Sequence, residues 1–245
     1  MKTSGKIHII NNVHKVKRMK KSDNTTPHMS SEYDANIRKT VPYYDNFHEE
    51  TLKLVKASGI DPALWLDTGC GTGNFIEKAL AEFSGCTFVL ADPSEEMMNI
   101  AKKKLETKKG WFRFLPPVAT QDLKMSGTPD IVTAIQSHHY LQPQMRIKAT
   151  GVCYNLLRKG GMYITFENIR PMTEKGIEIG KKYWKNFQVS SGKTEDTAEK
   201  HTDRFGKEYF PITIEEHLEI LRTCGFKPAE IFWYSYMQAG FYAIK

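Results

Sequence analysis

Leu64-Trp65-Leu66-Asp67-Thr68-Gly69-Cys70-Gly71-Thr72-Gly73-Asn74-Phe75 is the stretch whose reading decides the fold. A short apolar run ends in Asp67. A glycine-dense turn comes next, and then apolar residues recur at helical spacing (Phe75, Ile76, Ala79, Leu80, Phe83). Strand, glycine loop and helix in that order open a nucleotide-binding βαβ unit. The glycines reach backbone angles closed to other residues and let a ligand lie against the main chain.

A second signal strengthens the first. Thr87 to Ala91 reads as another buried strand, and it ends in Asp92, 25 positions after Asp67. An acid at the end of the second strand suits both hydroxyls of a ribose. The loop pattern is Asp-x-Gly-x-Gly-x-Gly rather than G-x-G-x-x-G. A pyrophosphate would be repelled by Asp67, whereas the ammonium of a methionine moiety would be attracted.

Asp67 to Gly73 resembles the first motif of class I S-adenosylmethionine (SAM)-dependent methyltransferases. Asp92-Pro93-Ser94-Glu95-Glu96-Met97-Met98 resembles the segment after the second strand in that family. From Tyr33 onward the chain is most similar to the carboxy-SAM synthase (CmoA-like) group. Val41-Pro42-Tyr43-Tyr44, Leu156-Leu157-Arg158-Lys159-Gly160-Gly161, Arg204, Ile214-Glu215-Glu216-His217 and the ending Gly240-Phe241-Tyr242-Ala243-Ile244-Lys245 carry that similarity. The resemblance implies a Rossmann-like α/β fold. Its mostly parallel seven-stranded sheet is flanked by helices, with N-terminal cap helices and a lid insertion before the last βα unit.

The rest of the chain agrees. Strands are expected at 63–67, 86–91, 111–115, 130–135 and 161–167, alternating with helices at 73–83, 94–108 and 143–158. A further helix at 213–224 and two strands from Ala229 and Gln238 close the sheet. Such alternation implies a mostly parallel sheet with helices on both faces. Ligands then bind at the carboxyl ends of strands, where Asp67, Asp92, Gln136 and Glu167 are expected to share one rim. Lid elements are expected at about 31–58, as helices 33–40 and 43–57, and at 170–211, as an amphipathic helix with Tyr183 followed by a polar segment.

The resemblance implies cofactor contacts from Tyr33, Asp67, Gly69, Cys70, Gly71, Asn74, Asp92, Pro93, Met97 and Gln136. After the third strand the family has an acid beside the adenine amino group. Ala119 occupies that slot here, so backbone groups of Ala119 and Thr120 are expected to serve. Tyr44, His138 and His139 are the catalytic candidates. The two histidines leave the fourth strand together, so one is expected to face the acceptor as a base and the other to be structural. Arg204 and Tyr183 are the candidates for binding substrate.

Composition bounds the alternatives. The 245 residues, 40% apolar and 11% aromatic, suit one soluble domain, and no apolar run approaches a membrane span. The net charge of +7 is local. Residues 1–21 hold seven Lys or Arg and no acid, which leaves 28 of each sign elsewhere. Nucleic acid is therefore not expected as a partner except through that tail. Residues 1–30, including the linker-like Ser22 to Pro27, are expected to be disordered, with a mitochondrial presequence as an alternative. Cys70, Cys86, Cys153 and Cys224 show no metal spacing and read as thiols of a reducing, cytoplasmic compartment. No metal site is expected, and a homodimer stays open.

The first reading is a methyltransferase that moves the SAM methyl to a small-molecule acceptor by in-line SN2 displacement, releasing S-adenosylhomocysteine (SAH). The alternatives are a carboxy-SAM synthase-like enzyme of tRNA wobble uridine modification, a non-catalytic SAM-binding subunit and, more distantly, an NAD-binding oxidoreductase.

Overall fold

The computed structural model describes residues 23–245; the basic stretch before them lies outside the described residues. In chain order the elements are α1 (Tyr33–Thr40), α2 (Tyr44–Ala57), β1 (Leu64–Thr68), α3 (Asn74–Glu82), β2 (Thr87–Ala91), α4 (Glu95–Leu105), β3 (Trp111–Phe114), β4 (Ile131–Ile135), α5 (Pro143–Leu156), β5 (Met162–Asn168), α6 (Glu174–Ser190), α7 (Glu195–Thr202), α8 (Ile214–Thr223), β6 (Ala229–Ser235) and β7 (Gln238–Ile244). The strands form one seven-stranded sheet, ordered β3-β2-β1-β4-β5-β7-β6. Strand β7 runs antiparallel to both β5 and β6, and all other pairs are parallel. This is the Rossmann-like architecture expected.

Alternation along each strand builds two cores. Leu66, Val89, Val132 and Phe241 face one side, where Cys153 of α5 and Leu221 of α8 cover them. Trp65, Phe88, Ile131 and Ile164 face the other, against α2 and α3. Local chemistry starts the helices. Ser94 accepts from the Met97 amide at the head of α4, and Lys102, Lys103 and Lys104 sit in its last turn, opposite the helix dipole. Thr213 and Glu216 form a capping box on α8.

The expected element bounds hold to within a few residues, with two differences. Helix α7 forms where the sequence reads as a polar segment, because its buried side is built from Ala198, His201 and Thr202 rather than large apolar residues. Residues 23–30 read as part of a disordered tail. Asp23 instead accepts hydrogen bonds from Ser94 Oγ (2.5 Å) and the Glu95 amide (2.9 Å), and Asn24 Nδ2 donates to Ser30 Oγ. Residues 23–30 thus pack with the folded domain, and the remainder of that expectation lies outside the described residues. Among the described residues no helix is long and apolar enough to cross a membrane.

The turn after β1 depends on two glycines. Gly69 has φ +71°, and a Cβ there would collide with Ser137 Cβ and lie 2.8 Å from its Oγ. Gly73 has φ +77° and would bring a Cβ to 3.1 Å from that of Ala101. A Cβ on Gly71 would meet nothing within 4 Å. Gly69→Ala is therefore expected to cost about 1–3 kcal/mol from overpacking alone. Gly71→Ala should cost about 1 kcal/mol, from its positive φ only. Urea unfolding of the two variants compares them; equal losses would contradict the packing difference.

Candidate active site

The carboxyl ends of β1, β2 and β4 open on a cavity of about 230 Å³. Asp67, Gly69, Cys70, Gly71 and Asn74 of the glycine loop line one wall. Asp92, Pro93 and Met97 line the next, and Ala119, Thr120 and Gln136 continue around it. Tyr33 and Tyr44 come from the cap, so every residue expected to touch cofactor is brought to this one space.

Both loop carboxyls are nearly dry. Asp67 is 2% exposed, and its Oδ1 accepts from Thr133 Oγ1 at 2.6 Å. Burial raises its pKa to about 7, against that hydrogen bond. Asp92 accepts from the Ser94 amide at 2.8 Å and the Gly71 amide at 2.9 Å, one on each oxygen. Burial pushes its pKa up, opposed by those two bonds. A carboxylate has about four acceptor sites, so each oxygen keeps one for an incoming hydroxyl.

The cap is fastened to the loop it covers. Asp34 of α1 accepts from Thr72 Oγ1 (2.6 Å) and Asn74 Nδ2 (2.8 Å) and pairs with Lys104 of α4 (2.7 Å). Burial raises the Asp34 pKa, but the bonds from Lys104, Thr72 and Asn74 outweigh it, and the net shift is downward. Asn74 also donates to Tyr44 Oη at 3.3 Å. Beside this latch, Asp23 caps α4 while Thr25 O accepts from Arg204 Nη2, so residues 23–26 cross from α4 to the lid and line the cavity.

Five expected placements are corrected. His139 does not reach the cavity: it is 1% exposed, and its Nδ1 lies 2.8 Å from Glu167 Oε2. Glu167 is not on the rim. It is fully buried beneath the turn, accepts from the amides of His138 and His139 and from Thr165 Oγ1, and has its pKa lowered to about 2. Burial alone would raise that pKa; the hydrogen bond with His139 opposes it, and the net shift is downward. His138 does contribute to the lining, but its Nδ1 is paired with Tyr163 Oη at 3.1 Å and burial lowers its pKa to about 4. Neither imidazole is thus placed as a free base. Tyr183 is exposed and stacks on Tyr236 at 4.0 Å, outside the cavity. Arg204 stands behind the wall, next to Tyr140 and Thr25, and bonds Glu208 at 2.7 Å.

Gln121, Ser137, Tyr140 and His48 go beyond the expected lining residues, whereas Gln136 is one of them. Gln121 Oε1 is buried without a hydrogen-bond partner among the described residues, and Gln136 Nε2 and Ser137 Oγ are likewise unpaired. Gln136 also holds φ +55°, an uncommon angle for a side-chain-bearing residue. Tyr140 and His48 line the space as well.

Known proteins bear on this geometry. Residues 66–163 match the methyltransferase-domain family. That stretch therefore resembles a methyltransferase domain. A carboxy-S-adenosyl-L-methionine synthase of Nautilia profundicola is 22% identical over 203 residues, covering 83% of this chain and 86% of that protein. Among solved structures, a candidate O-methyltransferase from Nostoc punctiforme PCC 73102 superposes with TM-score 0.65 at 13% identity. That match covers 89% of this chain and 60% of that one, so this chain spans three fifths of its length. Magnesium protoporphyrin IX methyltransferase of Synechocystis PCC 6803, solved with bound SAM, gives TM-score 0.58 at 16% identity, over 86% of this chain and 82% of that one. The domain's fold is that of class I SAM-dependent methyltransferases.

The latch generates a prediction. Asp34→Ala removes three hydrogen bonds at a partly exposed site, worth roughly 1–2 kcal/mol together. Hydrogen exchange of residues 33–40 should accelerate while β1 and β4 stay protected. Unchanged protection of α1 would show that the cap is held by its apolar face alone.

Proposed function

We propose that the protein methylates a small-molecule acceptor, using SAM as donor. The reading rests on one observation: two nearly dry carboxyls, Asp67 and Asp92, flank a glycine loop and open on one cavity. Among the described residues Asp67 has no cation beside it, and burial raises its pKa. An ammonium group would relieve it. Asp92 retains acceptor sites for ribose hydroxyls, and Gly71 leaves the backbone bare between the two. Gln121 Oε1 answers the missing acid after β3: it is an unpaired acceptor next to Ala119 and Thr120, suited to the adenine amino group.

SAM supplies an activated methyl on a positive sulfonium, already a good leaving group. The chain's part is to position the acceptor and keep the crevice dry, which can supply roughly 7–11 kcal/mol. Burial raises the Tyr33 phenol well above its usual pKa and raises Tyr44 and Tyr140 to about 12, so all three stay protonated at neutral pH. They can orient an acceptor by hydrogen bonding but not deprotonate it. The acceptor is then one that arrives as a competent nucleophile. A cytoplasmic location suits the four cysteines, none of which is in a disulfide. Residues 23–26 and α1 roof the cavity, which favours a small acceptor over a nucleic acid.

One observation favours carboxy-SAM chemistry as a second reading. Arg204 Nη1 is buried and unpaired among the described residues, beside Tyr140, and a bidentate guanidinium suits a carboxylate. Mass spectrometry of the nucleoside that co-purifies separates the two: SAM or SAH supports the first reading, the carboxylated form the second.

Calorimetry tests the site. SAH is expected to bind at micromolar affinity and NAD not at all. Asp92→Ala should weaken SAH by roughly 1.5–3 kcal/mol, about ten- to hundred-fold. Wild-type affinity in that variant would remove the ribose assignment.

Asp67 gives a pH test. Its charged form holds the ammonium, and with a pKa of about 7 in the free protein it is progressively protonated below that. SAH affinity should fall by up to about tenfold per pH unit below 7. The raised pKa also means the free protein loses stability through this group as pH rises from about 4 to 7. Asp67→Asn should flatten both profiles; a profile unchanged by that substitution would exclude Asp67 as the ammonium partner.

A further inference from the structure

Behind the cavity wall, three nitrogens are buried without partners among the described residues: His138 Nε2, Arg146 Nη1 and His217 Nε2. Their residues are 3%, 2% and 6% exposed. All three residues line a second cavity of about 10 Å³, together with Tyr163 and Glu167. That is roughly the space a single water needs, and buried water typically makes two to four hydrogen bonds.

The same Arg146 spans two regions. Its Nε donates to His138 O at 3.2 Å, and its Nη2 donates to Leu141 O at 3.3 Å and to Phe210 O. His138 and Leu141 belong to the turn that lines the large cavity; Phe210 lies at the end of the lid insertion. The Phe210 amide donates to His139 O at 2.7 Å, so the lid's exit and the cavity wall are joined twice.

We propose that one buried water, bound by Arg146, His138 and His217, completes a clamp that fixes the lid's exit to the wall of the cofactor cavity, with Arg146 as its positioning residue. Charge chooses a neutral ligand. Arg146 carries one positive charge, and the Glu167 carboxylate nearby carries one negative. Both imidazoles are held neutral by burial. A water can accept from the Arg146 N–H and donate to both imidazole nitrogens, which satisfies all three unpaired atoms. The clamp acts on cofactor binding through the wall, so its link to function rests on the SAM-binding reading above.

Two experiments decide it. Crystals grown in bromide should show density within hydrogen-bonding distance of all three nitrogens, with no anomalous peak. A bromide peak, or no density, overturns the water. Arg146→Met should weaken SAH at least tenfold and speed hydrogen exchange in 137–141 and 205–212 together, leaving α3 and α4 protected. Unchanged SAH affinity, or a uniform rise in exchange, makes Arg146 merely structural. If Arg146→Met does not fold, His217→Leu removes a water ligand and leaves the carbonyl bonds. It should then weaken SAH about threefold, and wild-type affinity overturns the clamp. Failure of the wild type to bind SAH would instead sink the SAM reading, while the exchange pattern would still report on the clamp.

Discussion

A buried carboxyl with no cation beside it among the described residues is the constraint on which the site depends. Asp67 sits one residue before the end of β1 at 2% exposure, and among the described residues only Thr133 donates a hydrogen bond to it. Water is largely excluded, so burial raises its pKa to about 7, and a positive partner would favour the anion. The surrounding elements keep that exclusion in place. The glycine loop wraps the end of β2, with the Gly69 and Cys70 amides on Ala91 O, and the cap closes over it through Asp34. Fold and affinity are thus coupled: the packing that makes the crevice dry is also what makes it demand a cation.

The second carboxyl is managed differently. Asp92 takes an amide from the loop and one from the head of α4, which aim it while leaving acceptor capacity. The two acids sit at opposite sides of a turn that only glycine can make at Gly69. A long, polar ligand with a cation at one end and a diol at the other fits that division. The phenols overhead stay protonated, which leaves positioning and dryness as the chain's contribution to methyl transfer.

Much of this is legible in the sequence, for physical reasons. Buried parallel strands are written as apolar runs, and an acid stands next to last in β1 and directly after β2, both lining the cavity. The loop's spacing of glycines reports the backbone angles it needs. The features that stay hidden depend on partners far along the chain. Glu167 lies 28 residues from His139 and takes the turn's amides, which turns a candidate base into a buried support. Nothing in Ser22 to Pro27 announces that Asp23 will cap a helix 72 positions later. Helix α7 hides its inward face behind Ala198, His201 and Thr202, so hydropathy does not reveal it. Gln121 escapes notice because the residue type expected after β3 is an acid.

The most direct test is a crystal structure with SAH bound. The amino group of the homocysteine end is predicted beside Asp67 and both ribose hydroxyls on Asp92, with the glycine loop running between. SAH elsewhere on the protein, or in the crevice with its amino group remote from Asp67, would contradict the central claim.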